Sequence, residues 1–417
     1  MSVTNFKKTI IIGGIVLLLI ILVIVVSQSL KKQPISTLTP TPGDQTGVTG
    51  GTLPIAGPGG TVTSTSGVGQ LPAGVGQEVA VTPPTETTAT ETTPVTRDNK
   101  IQNLIEYTSS APTLSGDGVG IQYYDKADNK FYKIDENGQK VEMVSQQFFN
   151  VQDVNWSPTK DRAILTYPDQ SKIIYDFATQ KQVTLPKHWE EFNFSANGNE
   201  IAFKSMGYDP ENSWIAIMNN DGTMAKTVEK IGTNASNIIV SWSPNNQIIG
   251  METEGNNFDQ KKIYFIGLNG ENFKSITTQG RGFMPLWSPS GNQLLYSVYS
   301  SDNNYLPSLW VTDSQNGELG ANLRPLSLNT WANKCIFNGE TEAYCAVPRN
   351  LSEGAGMIPA SAKNATDDLY LVNITSGQKI LIDGSGAYNM TNLILTQDKK
   401  SIYFTDSISG KLFKLAI

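Results

Sequence analysis

Side chains able to do chemistry are few in this sequence, and their spacing limits what they could do. There is one histidine, His188. Zinc sites and Ser-His-Asp triads lean on histidine, and His188, followed at once by Trp189, reads as a loop or packing residue. No Gly-x-Ser-x-Gly elbow is present. The two cysteines, Cys335 and Cys345, are too few for a disulfide scaffold or a four-cysteine zinc site. An antiparallel hairpin centred on Glu340 would set them directly opposite each other, at the facing Cα separation of about 4.5–5.5 Å that a disulfide accepts. One cross-strand disulfide is therefore expected, in an oxidising compartment; two buried thiols in a cytosolic sheet are the alternative. Asp209, Glu252, Glu254 and Asp259 are nominal carboxylates for acid–base work. A glycosidase or lyase needs such groups at a defined separation, which sequence does not set. No catalytic set, cofactor motif or metal ligand set is expected.

Charge narrows the partners. Residues 1–98 hold five basic and five acidic residues, so the rest of the chain carries the whole formal charge of −7. An acidic domain without a basic stripe is a poor nucleic-acid binder, because phosphate contacts dominate that affinity. Aromatic residues are just as unevenly placed. Of 37, only Phe6 precedes residue 99, so residues 99–417 must build the packed core.

The elements that position these residues come from a repeat. Trp156-Ser157-Pro158-Thr159-Lys160 is followed by the apolar run Ala163-Ile164-Leu165. The unit recurs as Trp242-Ser243-Pro244-Asn245-Asn246 before Ile248-Ile249, and as Trp287-Ser288-Pro289-Ser290-Gly291 before Leu294-Leu295. Weaker copies start at Leu114, Phe194, Phe337 and Leu395. Seven units of about 46 residues then fill residues 99–417. Each unit reads as a strand ending at the anchor, a turn, two more strands, a tight turn such as Asn137-Gly138, Asp221-Gly222, Asn269-Gly270, Asn316-Gly317 or Ser376-Gly377, and a fourth strand. Four antiparallel strands repeated seven times predict an all-β, seven-bladed β-propeller. The last unit is one strand short. Residues 101–108 can supply it, closing the ring by pairing the two ends of the domain in one blade. Trp156, Phe194, Trp242, Trp287 and Phe337 are the structural blade-turn anchors.

These Trp-Ser-Pro-x-Gly units, each followed by an apolar strand, resemble the TolB-type, WD-like propeller repeat, which also occurs in the N-terminal domain of dipeptidyl peptidase IV-like proteins. Only fold-making positions match, and the usual Ser-Pro-Asp-Gly turn has drifted to Thr-Lys, Asn-Asn and Ser-Gly here. In those peptidases catalysis sits in an additional α/β-hydrolase domain, so the resemblance implies the fold and not that activity.

Ahead of the repeats, residues 10–26 are all Ile, Val, Leu or Gly. At about 1.5 Å per residue, residues 9–28 reach across a bilayer's ~30 Å hydrocarbon layer. They read as an uncleaved single-pass anchor, because the apolar stretch exceeds the ~7–15 residues of a signal peptide and lacks its cleavage site. Residues 1–8 form a cytoplasmic tail on this reading. Residues 29–98 are a Thr/Pro/Gly-rich disordered linker: 40 of residues 33–98 are Thr, Pro, Gly or Ser, too little apolar matter to offset ordering entropy. A flexible linker and a disulfide-bonded β domain suit the outside of the cell.

The long connections between second and third strands fall on one face of the disc. They carry Tyr208, Asp209, Trp214, Phe258, Asp259, Tyr305, Met357 and Ile358, the expected interaction face. The first expectation is a membrane-anchored module whose face recruits an extracytoplasmic protein or cell-envelope polymer. Others are a glycosidase or lyase with carboxylates at the axial mouth, and a membrane assembly or sensor scaffold whose span packs through Gly13-Gly14.

Overall fold

The computed structural model describes residues 101–315 and 318–417. The expected tail, anchor and linker, residues 1–98, and the Asn316-Gly317 turn lie outside the described residues. Among the described residues no helix is long and apolar enough to cross a membrane.

The strands form seven four-stranded antiparallel sheets. Their first strands are Ser109–Leu114, Asp153–Trp156, Trp189–Phe194, Ile238–Val240, Arg281–Trp287, Cys335–Phe337 and Met390–Leu395, for blades 1 to 7. First strands of blades 1 and 2, 3 and 4, 6 and 7, and 7 and 1 touch each other, so these strands line the axis. Second strands are covered on both sides by neighbouring blades: all of Ile121–Asp125 and of Ser401–Asp406 is buried, the polar Gln122, Asp125, Thr405 and Asp406 included. Fourth strands such as Lys140–Glu142 lie exposed at the rim, where their lysines discourage edge-to-edge pairing.

The core is a ring of clusters between adjacent blades. Between blades 1 and 2, Phe131 meets the Trp156 ring edge-on at 5.5 Å, and the Trp156 indole N–H donates to the Ala111 carbonyl at 2.8 Å. The Trp287 indole likewise donates to Ser241 Oγ of blade 4 at 2.9 Å. These two anchors stitch blade to blade with an aromatic body and a polar handle, whereas the Trp242 indole donates to Asn246 Oδ1 of its own turn at 2.9 Å.

After six of the seven anchors the repeat makes the same turn; Phe337 of blade 6 is the exception, its next residue Asn338 donating to the Glu342 carbonyl at 2.8 Å. The carbonyls of Ser115, Ser157, Ser195, Ser243, Ser288 and Thr396 accept from the N–H three residues on. The closing residue is left-handed: Gly118, Lys160, Gly198, Asn246, Gly291 and Lys399 have φ between 57° and 74°. Glycine suits that position, and the lysines carry a Cβ penalty of about 1 kcal/mol there. Lys399 is exposed, so Lys399→Gly is expected to stabilise the fold by about 0.5–1 kcal/mol. Equilibrium urea unfolding checks this; a loss of stability would mean that Lys399 holds its neighbours.

The ring closes as the sequence predicts, with a shorter strand. Ile101–Asn103 pairs antiparallel with Leu412–Ala416, completing blade 7. The pairing stops just after Leu104, because Asn103 Oδ1 takes the Ile105 N–H at 3.2 Å and Ile105 drops into the core between blades 7 and 1. Cys335 and Cys345 face each other in register in blade 6, with Cα atoms 4.1 Å apart, and are disulfide-bonded.

Candidate functional site

Antiparallel alternation sorts the connections between strands. Turns after first and third strands lie on one face, and connections after second and fourth strands lie on the other. The long connections between second and third strands all belong to this second face.

Blades 4, 5 and 6 join their loops there into one shelf. The Asp259 carboxylate of blade 4 accepts from the Ser301 hydroxyl and from its N–H, the latter at 3.3 Å, in blade 5. The Asn304 and Tyr305 carbonyls of blade 5 accept from Gly354 and Gly356 N–H of blade 6, at 3.0 and 2.8 Å. Asn304 and Tyr305 both sit at positive φ, 51° and 55°, which turns these carbonyls toward blade 6. A Cβ on Gly356 would fall 2.5 Å from Tyr299 Cβ, so a glycine is needed for the loops to approach. At the outer end Arg349 grips Asp368 Oδ1 through Nε at 2.8 Å and Nη2 at 2.6 Å, and the Gly384 carbonyl.

On this braced base stand exposed apolar side chains. Phe258 is 69% exposed and Ile358 63%, with Met357 beside it in the chain. The Arg281 guanidinium lies 5.8 Å from the Phe258 ring centre, a cation–π contact. Tyr305 is half-buried within the shelf.

Blade 3 is tied elsewhere. Its loop bonds back to His188 through Met206 N–H at 2.9 Å, and the Ser213 carbonyl takes Ile231 N–H at 2.9 Å. Tyr208 is fully exposed. Asp209 caps the short 3-10 turn Pro210–Asn212, and Trp214 is a half-buried strand residue paired with Ser205. The structure thus joins Asp259 and Tyr305, displays Phe258, Met357 and Ile358 on the same shelf, and puts Tyr208, Asp209 and Trp214 on blade 3.

The nominal carboxylates do not form one set. Asp209 and Asp259 serve their loops. Glu254 accepts from the Tyr264 hydroxyl at 2.8 Å. Glu252 accepts from Asn234 Nδ2 at 2.9 Å; burial, with help from Glu254, pushes its carboxyl up against that hydrogen bond. Among the described residues no three His, Cys, Asp or Glu side chains are grouped to hold a metal ion.

One charged cluster was not expected from sequence. The 3-10 turn Ala332–Lys334 packs against the first strands of blades 5 and 7. It buries Lys334, whose Nζ lies 2.9 Å from Asp367 Oδ2 and donates to Asn389 Oδ1 at 2.8 Å. These residues are 22 to 55 positions apart, so no local pattern announces them.

No known family matches the sequence. No characterised protein matches it either. Solved structures do resemble it. An oligogalacturonate lyase in complex with manganese aligns with a TM-score of 0.55 at 13% identity, over 78% of this chain and 94% of the lyase. The β-propeller domain of Cps50 (Swd1) from Myceliophteria thermophila aligns at 0.48 and 10% identity, over 76% of this chain and all of that domain. The tricorn protease aligns at 0.49 and 11% identity, over 76% of this chain and 34% of the protease. At these identities the likeness is one of fold; the seven four-stranded sheets set around an axis by themselves make the described residues a β-propeller, and a fold of this kind carries many activities.

Proposed function

We propose that this chain is a membrane-anchored extracytoplasmic interaction module of TolB-type repeats. Residues 9–28 would hold it in the bilayer, residues 29–98 would space it from the surface, and the long-loop face would dock an extracytoplasmic protein or cell-envelope polymer. One observation carries this reading: loops of three blades are hydrogen-bonded into a shelf that exposes Phe258, Met357 and Ile358. Bracing removes the ordering cost that loops otherwise meet on binding, and apolar side chains grouped on a fixed base suit an interface centre. The cysteine pairing supports an oxidising compartment.

The test is crosslinking in the native envelope with the full chain, followed by capture. A partner is expected to be held by the wild type and lost from a triple variant, Phe258→Ser with Met357→Ser and Ile358→Ser. Undiminished capture by that variant would sink the shelf as the docking surface. Protease added to intact cells should degrade the propeller; protection of residues 101–417 would overturn the outward placement.

A second reading, a glycosidase or lyase, has one observation in its favour: the raised carboxyl of Glu252 beside Glu254, as a general acid requires. Polymer cleavage abolished by Glu252→Gln would support it; cleavage that survives the substitution would not.

A further inference from the structure

The long-loop face holds a second feature, a cleft of about 690 Å3 between blades 2 and 3. That size lies within the range of roughly 300–1,000 Å3 typical of small-ligand sites. Its frame is fixed. The buried Lys172 ammonium donates to the Gln170 carbonyl at 3.1 Å and the Lys187 carbonyl at 2.9 Å, tying two lips together. The Met206 N–H to His188 carbonyl bond sets the third wall. A Cβ on Gly207 would fall 2.6 Å from the Asn212 carbonyl, so this glycine lets the blade 3 loop fold over the cleft.

The frame uses backbone and Lys172, and leaves the side chains that line the cleft unspent. Gln170, His188, Glu190, Tyr208 and Asn212 all line it. Their side chains have no hydrogen bond or ion pair with any described residue. Two carboxamides, a carboxylate, an imidazole and a fully exposed phenol ring therefore converge on one space. Carboxamides and a carboxylate offer paired donors and acceptors, and a flat exposed ring offers an apolar surface. A sugar presents the complement of both: vicinal hydroxyls that donate and accept, and a C–H face that stacks. Charge selects among sugars. Lys187 is already bound to Asp169 Oδ2 at 2.8 Å, and the free carboxylate of Glu190 would repel an anion.

We infer that the cleft between blades 2 and 3 binds a neutral saccharide, with Tyr208 as its stacking platform and Gln170, Glu190 and Asn212 as its hydroxyl partners. The site does not depend on what docks on the shelf, which lies on other blades.

The test is calorimetric titration of the full chain, in a detergent without a sugar headgroup, with cellohexaose, maltohexaose, chitohexaose and hexagalacturonate. At least one neutral oligomer is expected to bind with a Kd below about 1 mM. Tyr208→Ala should weaken it about tenfold, the scale of a lost aromatic contact. Because Tyr208 is fully exposed, the fold survives its truncation. Asn212→Ala should also weaken binding, and Val141→Ser, at the exposed rim of blade 1, should leave it unchanged. No binding of any neutral oligomer, binding indifferent to Tyr208→Ala, or preference for hexagalacturonate would each overturn the site. Loss with Phe258→Ser alone would move the saccharide to the shelf and refute the cleft.

Discussion

Lys334→Met is expected to cost the fold about 3–5 kcal/mol, the usual effect of leaving a buried charge without its partner. Lys334 and Asp367 form an ion pair whose side chains are 8% and 0% exposed. Burial pushes the Lys334 ammonium down and the Asp367 carboxyl up, against their mutual attraction. Asp367 Oδ1 has no hydrogen-bond partner and Oδ2 accepts from the Met390 N–H at 2.5 Å, so the lysine, helped by that one N–H, makes ionisation tolerable. Without it, the folded state favours the neutral acid still more strongly. A group whose folded pKa is raised contributes stability below its unfolded pKa, near 4 for aspartate, and loses it as pH rises through the folded value. The Lys334→Met deficit should therefore be small near pH 4 and widen as pH rises. Adding Asp367→Leu should recover most of it, since replacing both members of a buried pair by apolar groups is often neutral. Urea unfolding across pH for the two variants is the measurement. A double variant as unstable as the single would show that shape, not charge, governs this site.

Removing the disulfide, with Cys335→Ser and Cys345→Ser together, should cost about 2–3 kcal/mol. Closing a short loop of this kind removes about that much entropy from the unfolded chain, and the bridged residues are 10 apart. The half-cystines face each other between first and second strands of blade 6, and both are buried. Thiol labelling of the denatured chain should therefore modify no cysteine before reduction and two after it. Labelling without reductant would contradict the pairing and weaken the extracytoplasmic reading with it. Cys335 directly follows Lys334, so the two losses should not add: both loosen the same turn, and adjacent sites couple.

The architecture was legible because it repeats. A tryptophan followed by Ser-Pro and an apolar run is one physical device, an anchor, a turn and a sandwiched strand, and its recurrence sets the blade count. The missing strand of the last unit located the closure, and the position of Glu340 midway between the cysteines located the disulfide. Two kinds of information were not legible. Turns that reach left-handed φ without glycine, as at Gln180, leave no local mark. Contacts between loops of different blades, such as Asp259 with Ser301 or Asn304 with Gly354, depend on how the blades are placed side by side. The same holds for His188. Sequence offered only a packing or loop residue, while the fold places it in a cleft wall with Gln170 and Tyr208. The carboxylates Asp209 and Asp259 looked equivalent to Glu252 by type, and only their hydrogen bonds separate loop braces from an up-shifted acid.

Closure by the strand Ile101–Asn103 has a mechanical consequence. This strand runs toward the long-loop face, because Asn103 pairs with Phe413 near the start of Leu412–Ala416 and Ile101 with Leu415 near its end. Residue 101 therefore enters at the short-turn face, opposite the shelf. A pull applied through Ile101, resisted by something held on the far face, would draw this strand lengthwise past its neighbour. The ladder's hydrogen bonds lie across that direction and would have to break together rather than one at a time. Pulled from this end, the outermost strand of the ring is gripped in shear.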